Sequence, residues 1–287
     1  MVAGIRTRIE TGLADGSRWE LARRAPCAAL RPYVRDLMGY DERSPTPRSQ
    51  RQYPKPYVVV IIEIGEPLRV TMGGDPRTTT GRRGGFVAGI DGIYATTEHD
   101  GHQSGIQVDL TPTGARRFLG LPLSELGGTA VALDDLRPRT HRELTERLAE
   151  APDWATRLDL VEATLWQAIS AAGVETARVD WALDRIERSG GNVRIESLSR
   201  ELGCSPRHLI ALFRDQVGLP PKSVARLVRF DGAMTRLQSG PPISLAELAA
   251  DHGFSDQAHL VRDVRHYTGL TTTEARSLLP RVAELLG

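Results

Sequence analysis

Cysteine is nearly absent from this 287-residue chain. There are two, Cys27 and Cys204, and neither belongs to a Cys-x-x-Cys pair. That points away from a thiolate zinc site and from a disulfide framework. Lysine is almost as scarce, since all of the 37 basic residues except Lys55 and Lys222 are arginine. Such a bias can follow from genomic base composition and does not by itself signal nucleic acid. No apolar run reaches the roughly 18 residues of a membrane span. The opening MVAGIRTRIETGLADG lacks the apolar stretch of a signal peptide. The chain therefore reads as cytoplasmic, with no membrane contact. Catalytic signatures are missing too: there is no Gly-x-Ser-x-Gly elbow, P-loop or strand-to-helix Gly-x-Gly-x-x-Gly. Neither an enzyme activity nor a cofactor is expected.

What is present is an ordinary globular composition, 40% hydrophobic and 25% charged, with a formal net charge of +1. The length favours two domains. Residues 17–135 look strand-rich. SRWELARRAP alternates, CAALRPYVRDLMGY reads as a short helix followed by a strand, and DERSPTPRSQRQYPKP reads as a proline-rich mobile loop. YVVVIIEIGEPLRVTMGG predicts two strands, and GGFVAGIDGIYATTEHDGHQSGIQVDLTP three more separated by glycine turns. TPTGARRFLGLPLSEL then predicts a short helix. The fold class expected is α+β: an antiparallel barrel or sandwich with helices, followed by an all-helical domain. From about residue 138 the period becomes helical, with a helix pair over 138–172 whose second member opens at Pro152-Asp153. The division expected is 1–175 for the first domain and 176–287 for the second.

The last third contains an internal repeat. IESLSRELG (195–203) lies over LAELAADHG (245–253), and HLIALFRDQVGL (208–219) over HLVRDVRHYTGL (259–270). Each unit is a helix, a tight glycine turn, a capping serine (Ser205 or Ser255), a second helix and a glycine stop. That is a helix-turn-helix, expected at about 194–218 and 244–269. Pro206 suits the first helical position of its helix. A long amphipathic helix, 221–238, joins the units.

In the first unit Leu209, Leu212 and Phe213 form the inner face. The outer stripe is Arg207, Ile210, Ala211 and Arg214, at i, i+3, i+4 and i+7. In the second unit the stripe is Ala258, Val261, Arg262 and Arg265, with Gln257 and His259 at the helix start. Arginine can pair with guanine, glutamine with adenine, and small apolar groups can meet a thymine methyl. Two such helices reading one face of DNA must stand about 34 Å apart. Residues 205–229 carry five positive side chains against Asp215 alone. Ser205, Lys222, Arg226 and Arg229 are the candidate phosphate contacts.

These stretches, LSRELGCSPRHLIALFRDQVGLPPKSVARLVRF and LAELAADHGFSDQAHLVRDVRHYTGLTTTEAR, resemble the two-unit DNA-binding domain of the AraC/XylS family of bacterial transcription regulators. The resemblance implies sequence-specific promoter binding, with RNA polymerase as partner in an activator. It also implies an N-terminal domain for ligand sensing or dimerisation. It places the first recognition helix's readout at Arg207, Ile210 and Ala211, and the second's at Gln257, Ala258, His259, Val261 and Arg262. Three positions depart from the family pattern. Thr272 stands for a proline, Ala275 for an aromatic and Val264 for a common phenylalanine, and these smaller residues predict a thinner core under the second unit. GGFVAG, GIQVDLTPTGARRFLGLPLSEL and LAEAPDWATRLDLVEATL are similar to sensor domains of actinobacterial members, which implies a cupin-like barrel and leaves the effector unnamed.

Some residues read two ways. Arg265 suits a phosphate or solvated position as well as a base contact, and His208 and His259 suit packing or capping at a helix start. Glu98, His99, Asp100 and His102 have metal-ligand chemistry but also spell a polar turn, and in a regular strand His99 and His102 would face opposite sides. The competing function is a metal-dependent cupin-type enzyme fused to a DNA-binding module. Cys204 reads as a small buried residue or as a thiol switch. Helices 138–172 read as a lid on the N-terminal core or as a surface for a homodimer.

Overall fold

The computed structural model describes residues 7–14, 16–81, 84–173 and 176–278. Ten strands come from the N-terminal half: β1 Arg8–Ala14, β2 Ser17–Arg23, β3 Val34–Arg43, β4 Arg48–Gln52, β5 Val58–Glu63, β6 Arg69–Met72, β7 Gly85–Ala88, β8 Ala95–His99, β9 His102–Leu110 and β10 Ala130–Ala132. Helix α1, Pro112–Leu119, and a 3-10 turn, Leu123–Leu126, lie between β9 and β10. The chain then turns helical with α2 Leu133–Leu136, α3 Pro138–Glu150, α4 Trp154–Ala171 and α5 Ala177–Arg188. Two helix pairs follow, α6 Ile195–Glu201 with α7 Pro206–Val217, and α9 Leu245–Asp251 with α10 Gln257–Thr268. The long α8, Pro221–Ser239, joins them, and α11 is Thr272–Leu278.

The strands form two antiparallel sheets, one in the order β1-β2-β3-β9-β5-β7-β10 and one in the order β4-β8-β6. Val60 stands opposite Val108 on one side and Val87 on the other, so β5 is central. Its unbroken apolar run follows from burial on both faces. Val58, Val60 and Ile62 join the core that includes Phe118 of α1 and Leu158 and Val161 of α4. Ile61 on the opposite face packs with Val70 and Met72 of the small sheet. Helices thus cover the outside of the large sheet, while the small sheet closes over its inside.

Helix α4 is fixed at two points. Trp154 at its start lies on β3 where Gly39 has no side chain, and a Cβ there would come within 2.4 Å of the indole. Further along, the buried Arg24 pairs with Asp159 at 2.6 Å and Glu162 at 2.9 Å. The leucines of α3 and α4 are therefore lid residues. Leu144, Leu148, Leu158 and Leu165 are buried, leaving Trp166 as the large exposed apolar side chain of the pair.

Three expectations are corrected. Residues 28–33 form turns rather than a helix. The stretch read as a mobile loop holds the end of β3 and all of β4, whose polar Arg48–Gln52 becomes a strand by pairing with β8. β1, outside the predicted strand-rich region, pairs along β2. Residues 174 and 175, at the expected domain boundary, lie outside the described residues, as do the N-terminal residues 1–6. No helix among the described residues is long and apolar enough to cross a membrane.

Replacing Gly39 by alanine should displace the Trp154 ring and destabilise the protein by about 1–3 kcal/mol, the usual range for overpacking. Thermal melting, with indole fluorescence as a second signal, measures this. An unchanged melting temperature would mean that α4 can shift freely on the sheet.

Candidate nucleic-acid interface

Each helix-turn-helix is assembled by local chemistry. In the first, the turn passes through Gly203, whose φ of +62° suits glycine. Ser205 then caps α7 by accepting the amide of His208 at 3.2 Å. Leu209, Phe213 and Val217 are fully covered, whereas Leu212, expected on the same face, is half-buried. Arg207, Ala211 and Arg214 are exposed and Ile210 is half-buried beside them. In the second unit the cap is Asp256, not Ser255. Its carboxylate accepts the amide of His259 at 2.6 Å, and Ser255 instead meets the His259 ring at 3.1 Å. The extra residue in this turn moves the cap by one position, and a carboxylate also favours the positive end of the helix dipole.

On α10, Gln257, Ala258, Arg262 and Arg265 are exposed, with His259 and Val261 half-buried. His259 is held from both sides: its ring lies edge-on to Phe254, and Nε2 is 3.8 Å from Asp263. Arg262 donates Nε–H to the carbonyl of Ala258 at 3.2 Å. Among the described residues no carboxylate pairs with Arg207, Arg214, Lys222, Arg262 or Arg265, whereas the lone acid of the first patch, Asp215, is paired with Arg116 at 2.9 Å. The stripe of α7 therefore presents arginines unpaired by any carboxylate, and on α10 Arg265 lies within electrostatic reach of Glu274.

The candidate phosphate contacts divide. Lys222 is exposed, Arg229 is half-buried against the Phe254 ring, and the Ser205 hydroxyl already accepts its cap bond. Arg226 is corrected: its guanidinium forks onto Asp263 at 2.7 and 3.0 Å and lies over the Tyr267 ring. Asp263 is only 1% exposed, so this pair fastens α10 to α8. The hydrogen bonds that Arg226 donates to Asp263 raise its pKa further. The small residues Val264 and Ala275 are buried, and Thr272 is nearly so. The rings of Phe230 and Tyr267, 4.6 Å apart, pack in the same core. Cys204 is half-buried in the first turn and unpaired.

The N-terminal half grips this domain at several places. Gly218 ends α7 in a left-handed conformation, and a Cβ there would lie 3.2 Å from the Leu123 carbonyl and 3.9 Å from that of Ile90. Gly269 ends α10 the same way, and its Cβ would lie 2.9 Å from the Tyr94 ring. Residues 90–94 thus reach both recognition helices. Lys55 bonds Asp231 of α8 and the Tyr53 hydroxyl, each at 2.7 Å, and Tyr53 reaches Gln238 at 3.3 Å. Burial would lower the pKa of Lys55, but Asp231 and Tyr53 hold it above its ordinary value.

Between the two sheets lies a cavity of about 370 Å³. Its walls include Trp19, Met38, Ile61, Val70, Met72 and Phe86. Asp36, Asp109, Val59 and Ala88 form one row across four strands at one end. Burial pushes Asp109 up to about 6, opposed by the Gln107 amide. Burial also raises Asp91, opposed by the Gly128 amide, and Glu63, which reaches about 7 against its backbone donors. None of these acids is a candidate site residue in the sequence, although Asp109 stands alone inside the apolar GIQVDL. The Glu98–His102 cluster disperses: Asp100 forks onto Arg69, His102 meets Asp41, and His99 is buried on its own strand. Among the described residues no three His, Cys, Asp or Glu side chains gather as a metal site.

Residues 198–277 match the family described as a helix-turn-helix domain, and residues 22–132 match a domain family of unknown function, DUF6597. The chain is 30% identical over 159 residues to the HTH-type transcriptional regulator GlxA of Rhizobium meliloti (strain 1021), covering 52% of this chain and 48% of that protein. It thus spans about half the length of the curated relative it matches. Among solved structures it is similar to ToxT of Vibrio cholerae, with a TM-score of 0.48 at 9% identity over 96% of this chain and 99% of that one. It is also similar to an AraC-type regulator of Chromobacterium violaceum, with a TM-score of 0.33 at 22% identity over 36% of this chain and 91% of that one.

Arg226→Ala should leave Asp263 buried without its partner. Breaking a fully buried pair costs about 3–5 kcal/mol. Because the guanidinium is partly solvated, a loss of about 2–3 kcal/mol is expected in urea unfolding. A normal stability together with a salt dependence of DNA binding reduced by about one unit would instead make Arg226 a phosphate contact.

Proposed function

We propose that the chain carries the double helix-turn-helix domain of the AraC/XylS family of bacterial transcription regulators and is a sequence-specific, promoter-binding regulator with an effector cavity in its N-terminal half, a reading supported by the helix-turn-helix match over residues 198–277. The observation that carries this reading is the pair of exposed arginine stripes on α7 and α10, joined by α8 and without a direct carboxylate partner among the described residues. Arg207 and Arg214 read one major-groove segment. Gln257, Arg262 and Arg265 read the next, flanked by the apolar contacts of Ile210, Ala211, Ala258 and Val261. His259, held by Ser255 and Phe254, shapes the start of the second helix as much as it reads DNA. Lys222 and Arg229 flank the first helix as phosphate contacts.

The working division is 1–175 for sensing and 176–287 for DNA binding. An effector acts by favouring one of two arrangements of these halves through differential affinity. Residues 90–94 are the suited conduit, since Asp91 and Ile93 line the cavity while Ile90 and Tyr94 meet the glycine stops of the recognition helices. A homodimer would use surfaces other than the leucine faces of α3 and α4, which the core covers. RNA polymerase is the further partner if the protein activates.

Binding to the protein's own upstream region, against scrambled DNA at two salt concentrations, tests this. Arg207→Ala, Arg214→Ala and Arg262→Ala should each weaken specific binding by about 1–3 kcal/mol. Lys222→Ala should weaken both DNAs alike and lower the salt slope by about one. A native protein that shows no preference for its upstream region at either salt concentration would contradict the proposal.

A further inference from the structure

The cavity's chemistry is lopsided. Its lining holds six carboxylates, Glu20, Asp36, Asp41, Glu42, Asp91 and Asp109, against two cations, Arg23 and Lys55. Both cations are already engaged. Lys55 is bound to Asp231 and the Tyr53 hydroxyl. Arg23 lies 3.9 Å from Asp36 and donates to the sulfur of Met38 at 3.4 Å. An anionic ligand would thus meet an excess of acids.

Asp91 supplies the second observation. It is 7% exposed, and Oδ1 accepts the Gly128 amide at 2.7 Å. Oδ2 is buried and has no donor at all. Among the described residues it is the only buried carboxylate oxygen left so. Arg23 Nε also lacks a partner, but so do the Nε atoms of Arg48 and Arg229, so it marks no special site. A buried acceptor without a donor is costly, by about 1–3 kcal/mol and more for a charged group. Asp91 lines the cavity together with the apolar side chains of Ile61, Leu68, Val70, Met72 and Phe86. Asp109 lines the same cavity from β9.

We propose that the cavity binds an apolar amine, whose alkyl or aromatic body lies between the two sheets and whose ammonium group donates to Asp91 Oδ2. Bound there, the ammonium group supplies the missing donor and balances the local excess of carboxylate. Burial disfavours the charged form of Asp91, and a bound cation reverses that preference. The head of the ligand then rests on residues 90–94, which touch both recognition helices. The assignment rests on reading the N-terminal half as the ligand-binding half, and it adds the chemical class.

The test uses the full chain and three ligands that share one tail: decylamine, decanol and decanoate. Calorimetric titration gives the affinities, and Trp19 in the cavity wall adds a fluorescence signal. A charge-assisted hydrogen bond predicts that decylamine binds about tenfold or more tightly than decanoate. Asp91→Asn should remove that advantage while leaving decanol binding within about twofold. If decanoate binds as well as the amine, or if the variant keeps full amine affinity, the proposal is overturned. It is equally overturned if none of the three binds. Should Asp91→Asn fail to fold, the ranking of the three ligands on the native chain decides alone. DNA affinity measured without ligand keeps the two readings apart, because its loss would count against the regulator and leave the amine ranking untouched.

Discussion

Helices α7 and α10 both end on a left-handed glycine against which the N-terminal half packs closely. Gly218 presses toward the carbonyls of Leu123 and Ile90, and Gly269 toward the ring of Tyr94. The left-handed backbone that stops each helix also lets the N-terminal half approach its end closely. With the Arg116–Asp215 and Lys55–Asp231 pairs, these contacts make the β-rich half and the helical half share one continuous apolar core. The placement of α7 and α10 relative to each other then depends on α8 and also on what the cavity-lining segment 90–94 does.

The two helix-turn-helix units are not held alike. The first has a fully apolar seat in Leu209, Phe213 and Val217. The second has smaller residues at Val264 and Ala275, and adds a buried ion pair, Asp263–Arg226, stacked on Tyr267. Such a pair contributes orientation more reliably than net stability, because desolvation offsets much of the attraction. Its effect here is to fix the rotation of α10 about its own axis, so that Arg262 and Arg265 face outward.

What could be read from the sequence was local. The glycine turns, the Ser205 cap, the Pro206 start and the i, i+3, i+4, i+7 stripes are all written within a dozen residues, and the repeat wrote them twice. The exposure of Arg207, Arg214, Arg262 and Arg265 followed from that spacing. What could not be read needed partners distant in sequence. β4 is polar and becomes a strand only against β8. Arg226 looked like a phosphate contact until Asp263, 37 residues away, occupied it. The cavity acids are scattered over β2, β3, β9 and the 90–94 segment, so no spacing connects them. Adjacent capping residues, Ser255 and Asp256, left the second cap ambiguous by one position, and the stronger acceptor took it.

The central claim is that two helices on one rigid body read successive turns of DNA. Methylation protection of guanine N7 on the upstream region tests it most directly, since that atom lies in the major groove where arginine would pair. The account predicts two clusters of protected guanines on one face of the duplex, about one helical turn of 10–10.5 base pairs apart. Protection confined to a single cluster, or salt-sensitive binding with none, would contradict it.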